Sequence, residues 1–93
     1  MQSLPSDVEE YKQTKSFNVE TAPAGFLKDH STKANVWGLL TIETGTLTYV
    51  VADPAEAATY ELQAGDQGVI VPQQIHHIDD LSEDVRFHVK FFR

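Results

Sequence analysis

Residues 36 to 53 read VWGLLTIETGTLTYVVAD. Apolar, β-branched and aromatic residues dominate this stretch, the types that pack well on a pleated surface. Leu47, Tyr49 and Val51 alternate with Thr46, Thr48 and Val50, the period-two pattern of a strand with one face buried. Glu43-Thr44-Gly45-Thr46 interrupts the run with turn chemistry. A strand over Val36 to Ile42, a turn, and a strand over Leu47 to Val51 predict a β-hairpin spanning Val36 to Val51.

The same rhythm continues outward. "TYELQAGD" reads as a strand ending in an Ala-Gly-Asp turn, and "QGVIVP" as a strand stopped by Pro72, because proline cannot donate to a ladder. In "VRFHVKFFR", Val85, Phe87, Val89 and Phe91 form one face against Arg86, His88, Lys90 and Phe92. Two weaker extended pieces, Phe17 to Val19 and Gly25 to His30, precede the hairpin, broken by Pro23 and Gly25. "AEAA" at 55 to 58 holds good helix formers, but it lies between Asp53-Pro54 and β-type "TYEL" and reads as a turn. Ser6-x-x-Glu9 has the spacing of a capping box, so a short helical turn is expected from Asp7 to about Tyr11. Six or more short strands and almost no helix predict an all-β protein, a sandwich or small barrel of jelly-roll type.

At 93 residues the chain makes one domain, with residues 1–10 a leading segment and 11–93 the β domain. Seven Lys and Arg stand against 14 Asp and Glu, a formal net charge of -7. No basic cluster offers a nucleic-acid surface, and the acidic excess disfavours anionic membranes. No apolar run reaches the roughly 18 residues of a membrane span, and "MQSLPSDVEE" has no apolar core of a secretion signal. Cysteine is absent, which excludes disulfides and suits a reducing compartment. A soluble, cytoplasmic protein is expected.

"LQAGDQGVIVPQQIHH" resembles the second motif of the cupin superfamily, in which Gly-Asp opens a strand, a proline ends it, and a histidine follows five residues on. Here that histidine is His77. With "APAGFLKDHSTKANVWGLLTIETGTLTYV" and "VRFHVKFF", the chain more narrowly resembles the TehB/YeaR-like small cupins, which include the N-terminal domain of some tellurite-resistance proteins. The resemblance covers about Tyr11 to Arg93. It implies a cupin-type β-barrel binding a divalent metal (Zn, Fe, Ni or Mn) or a small ligand, linked to tellurite, oxyanion or metal stress. The departures from the motif are specific. Counting back seven from Gly45 reaches Gly38 where the motif has Glu, no H-x-H precedes it, and Gln74 replaces the usual Gly. The full three-His, one-Glu set is incomplete. Methyl transfer needs a Gly-rich loop between a strand and a helix, which this chain lacks.

His77 holds the second-motif position, and His30 is the one histidine of the first-motif region; both are candidate metal ligands. For His30 a turn-stabilising role beside Ser31 and Thr32 weighs equally. His88 is a third candidate, although its alternation with Arg86 and Lys90 puts it outside. Successive residues of a strand face opposite ways, so only one of His76 and His77 enters a cavity. The motif selects His77 and leaves His76 on the rim. Trp37, Phe87, Phe91 and Tyr49 are core or cavity wall. Asp29, Glu43, Asp79 and Asp80 read as solvated turn residues, Glu43 at the hairpin tip. The reading favours a non-catalytic binding protein; a metalloenzyme of oxygenase or isomerase type is the alternative. Phe91 and Phe92 cannot both enter one core, so a homodimer through "VKFFR" is expected.

Overall fold

The computed structural model describes residues 1–93. Seven strands form: β1 Glu10–Gln13, β2 Trp37–Thr44, β3 Thr46–Val51, β4 Ala58–Gln63, β5 Gln67–Ile70, β6 His76–Asp79 and β7 Arg86–Phe92. One 3₁₀ turn, Ala24–Leu27, is the sole helical element. No helix is long and apolar enough to cross a membrane. The expected all-β class holds. Its closure is that of a sandwich rather than a closed barrel: a four-stranded sheet in the order β1-β7-β2-β5 faces a three-stranded sheet in the order β4-β3-β6. The sequence expectation of a helical turn at the N-terminus fails, since Glu10–Gln13 pairs with the last strand, Glu10 opposite Phe92 and Lys12 opposite Phe91. Gly25 to Leu27, expected extended, lies in the 3₁₀ turn.

The segment from Val36 to Val51 does not form the expected hairpin. β2 pairs with β5 and β7, β3 pairs with β4 and β6, and β2 and β3 do not pair with each other. Gly45, at φ 71°, is a corner where the chain leaves one sheet and enters the other. The inward residues are Gly38, Leu40 and Ile42 before it and Leu47, Tyr49 and Val51 after it. The inward set moves from even to odd numbers there, a phase change that the corner absorbs.

Two further sheet-changing loops dock on this corner. In the β4–β5 turn, Ala64 N–H donates to the Gly45 carbonyl (3.1 Å) and Gly65 N–H to the Ile42 carbonyl (3.0 Å). From the β6–β7 loop, Ser82 N–H donates to the Thr46 carbonyl (3.0 Å), while Thr46 N–H donates to Ser82 Oγ (2.9 Å). Only β3 and β4 are both consecutive in the chain and paired.

Twelve buried apolar residues fill the space between the sheets, with Leu40, Val85 and Phe87 wholly inaccessible to solvent. Val85, Phe87 and Val89 point inward as the alternation required. Trp37, expected in the core or cavity wall, is half-buried on the opposite face of β2 from Gly38 and Leu40.

Candidate functional site

Away from the Gly45 corner, the core opens into a cavity of about 220 Å³. One sheet contributes Leu40, Ile70, Val89 and Phe91; the other contributes Tyr49, His76 and Ile78; Phe26 and residues 30 to 32 complete the wall. Apolar walls with a few polar atoms are the usual make-up of a small-molecule site. Phe91 and Tyr49 thus line the cavity, whereas Phe87 packs wholly within the core.

The polar side chains of the wall are Ser31, Thr32, Tyr49 and two histidines far apart in sequence, His30 and His76. A short antiparallel bridge joins them: His30 N–H donates to the His76 carbonyl at 3.0 Å, and His76 N–H to the His30 carbonyl at 2.9 Å. Residues opposed in an antiparallel pair put their side chains on one face, so the imidazoles meet, centroids 4.2 Å apart and planes at 67°. Phe26 stacks on His30 at 5.8 Å. His76 Nδ1 lies 2.8 Å from the Gln74 carbonyl, and His30 Nδ1 lies 2.9 Å from the Lys28 carbonyl. A carbonyl only accepts, so Nδ1 carries the proton and the neutral ring has an unprotonated Nε2 lone pair. Burial pushes the His76 pKa down to about 4, against the opposing pull of the Gln74 carbonyl; His76 is therefore neutral at physiological pH. Tyr49 adds a buried hydroxyl with no hydrogen-bond partner, and burial raises its pKa.

The expected placement of the histidine pair is reversed. His76 and Ile78 point inward, and His76 is 2% exposed. His77 points outward, its Nδ1 2.7 Å from Asp29 Oδ1. His88 lies on the outer face of the other sheet, as its alternation indicated, with Nδ1 2.7 Å from Glu43 Oε2. Glu43 is not a free turn residue: it also accepts a hydrogen bond from Ser16 Oγ, and that bond, with His88, lowers its pKa. His30, His77 and His88 therefore share no common point; His30 meets His76 instead. The missed residue was readable, because Ile78 and Asp79 fix which face of β6 is apolar, and His76 shares the face of Ile78.

No group of three or more His, Asp or Glu side chains converges to hold a metal ion. Three protein ligands are the usual minimum for a catalytic zinc or a two-His-one-carboxylate centre. His30 and His76 supply two imidazoles, while Asp29 is hydrogen-bonded to His77 and Glu43 to His88. These residues do not fit the metal centre that the cupin resemblance implies. They fit a ligand that donates a hydrogen bond to an imidazole inside an otherwise apolar space.

The family model described as a TehB-like domain matches residues 12–89. The uncharacterized protein YeaR of Escherichia coli K12 is 28% identical over 99 aligned residues, covering 99% of this chain and 83% of that protein. A crystal structure of an E. coli K12 protein superposes with a TM-score of 0.88 at 29% identity, over 100% of this chain and 97% of that one. TehB from Haemophilus influenzae superposes at 0.84 with 24% identity, over 94% of this chain but 32% of TehB, a likeness of fold. Two sheets, a cavity between them and a family match across most of its length place the chain in the TehB-like domain family.

Proposed function

We propose that this chain is a non-catalytic binding domain that holds a small, mainly apolar molecule bearing a hydrogen-bond donor, in a setting of tellurite or other oxyanion stress. The observation that carries the reading is the cavity of about 220 Å³ with the His30–His76 pair in its wall. An apolar cavity of about 150 Å³ is large enough for benzene, so this one accommodates a ring with a few added atoms. Two acceptor nitrogens with fixed tautomers reward a hydroxyl or N–H and penalise a ligand that leaves them unpaired. The wider setting rests on family membership alone. No nucleophile paired with a base stands in the cavity, which favours binding over turnover.

Titration with p-cresol, followed by amide chemical shifts, tests this reading. Shifts are expected at His30, His76, Ile78 and Phe91, with weaker binding for toluene, which lacks the donor. Ile78→Phe, which fills the cavity, should abolish them. A titration to millimolar p-cresol that moves none of these signals would remove the reading.

A further inference from the structure

We propose that the ligand is a small monoanion of carboxylate type, its apolar body between the sheets and its charged head in an adjoining surface hollow. This deepens the cavity reading above and rests on it. Ser31, Thr32 and Phe91 line both the cavity and the hollow, and the hollow adds Lys12, Lys33 and Arg93. A chain with seven basic and 14 acidic residues thus gathers three of its cations around one opening, with no Asp or Glu in the lining.

None of the three cations is neutralised by an ion pair. The molecule's close ion pairs join His77 to Asp29, His88 to Glu43 and Lys90 to Glu10. Lys12 Nζ lies 5.9 Å from the centre of the Phe91 ring, and the Arg93 guanidinium 4.0 Å from that of Tyr11; both contacts leave the positive charge intact. Glu10, opposite Phe92 in the β1–β7 register, lies on the other face of the sheet, with Lys90. Lys12, opposite Phe91, shares the face that looks toward the cavity. Glu9, joined to Arg93 by two backbone hydrogen bonds, shares the Arg93 face but makes no close ion pair with it. Three cations against this one carboxylate still leave the local sign of charge the reverse of the molecule's, an arrangement that concentrates anions at the opening.

The cavity's chemistry fixes the ligand's direction. With its Nδ1–H held by a backbone carbonyl, an imidazole offers only an accepting Nε2, and the single unpartnered hydroxyl of this wall, that of Tyr49, is too little to replace the hydration of a buried carboxylate. The anionic head belongs at the cations, and a hydroxyl or N–H at the imidazoles.

The test compares 4-hydroxybenzoate with 4-hydroxybenzamide, which share ring and hydroxyl and differ in charge, by calorimetry and amide shifts at neutral pH. At low salt the carboxylate should bind about tenfold more tightly than the amide, as a few partly exposed charge pairs supply. Its advantage should fall to about twofold in Lys33→Gln/Arg93→Gln, and likewise in wild-type protein at about 0.5 M salt, where exposed charges are screened. Both probes should shift His76 and Ile78. Equal binding of the two would overturn the anionic assignment and leave the cavity reading standing. An advantage that survives both the double variant and salt would show that the head does not sit in this hollow. Binding of neither probe would remove the cavity reading, and this one with it.

Discussion

His76 is the residue whose environment departs furthest from its sequence context. It lies between Ile75, 43% exposed, and His77, yet is itself 2% exposed. Its pKa of about 4 arises first from burial, opposed by the Gln74 carbonyl, with His30 and His77 lowering it further and Asp29 raising it slightly. Between pH 4 and the unfolded value of about 6.5, the unfolded chain binds the extra proton and the folded chain does not. Stability therefore rises with pH across that window and is lost as pH falls through it, by on the order of 3 kcal/mol at the limit. Urea unfolding between pH 4 and 7 should show this slope. His76→Asn, whose amide can still reach the Gln74 carbonyl, should flatten it, while His77→Ala should leave most of it; an unchanged slope in His76→Asn would refute the assignment. On the outer face, Ser16→Ala should bring the Glu43 pKa back toward its ordinary value, because the Ser16 hydrogen bond is the largest cause of its lowering; carboxyl NMR titration reads this directly. The sequence carried the information that one of His76 and His77 is inside. Choosing by motif position selected the wrong one, whereas choosing by the apolar Ile78 and charged Asp79 selects the face observed.

At the scale of elements, the segment from Trp37 to Val51 shows why strand content was legible and strand pairing was not. Alternation records that each strand has a buried face, but two strands either side of a turn alternate alike whether they pair or diverge into separate sheets. A discriminating signal was nonetheless present. The two-residue hairpin turn of type I′ needs positive φ at both central positions, and Gly45 is flanked by β-branched Thr44 and Thr46, which disfavour it. A single left-handed glycine is what the corner uses. A Cβ at Gly45 would lie 2.7 Å from Val85 Cα and 2.5 Å from Ser82 Oγ, whereas one at Gly65, φ 92°, meets nothing within 4 Å. Gly45→Ala combines an unfavourable φ with a collision against backbone and should destabilise by about 2–4 kcal/mol; Gly65→Ala has the strain alone, about 1 kcal/mol. Chemical denaturation of the two variants orders them. Equal effects would mean that the corner relaxes freely and does not hold the two sheets in place.

For the molecule as a whole, pairing is governed by contacts between distant segments. β1 and β7 bring the two ends of the chain together, β2 waits for β7, and Phe17 reaches Phe87 through an isolated bridge. The cavity depends on these distant contacts too, since His30 and His76 meet only across the completed structure. Composition and local pattern therefore indicated the all-β class, but not where the cavity opens or which histidines line it. The same topology constrains folding. Long loops must close before non-local pairs form, so refolding in milliseconds to seconds is expected, as for other β-sandwiches. The β3–β4 hairpin is the one paired unit consecutive in the chain, and its contacts close the shortest loop. Leu62, in β4 and 7% exposed, should have its packing largely formed in the transition state, so Leu62→Ala, a loss of about 2–3 kcal/mol, should act mainly by slowing folding. Phe17, also 7% exposed, joins the core through that single bridge, so Phe17→Leu should act mainly by speeding unfolding. Stopped-flow chevrons of both variants separate these effects, and a reversed order, with Phe17→Leu slowing folding and Leu62→Ala speeding unfolding, would place nucleation at the joined ends instead of the hairpin.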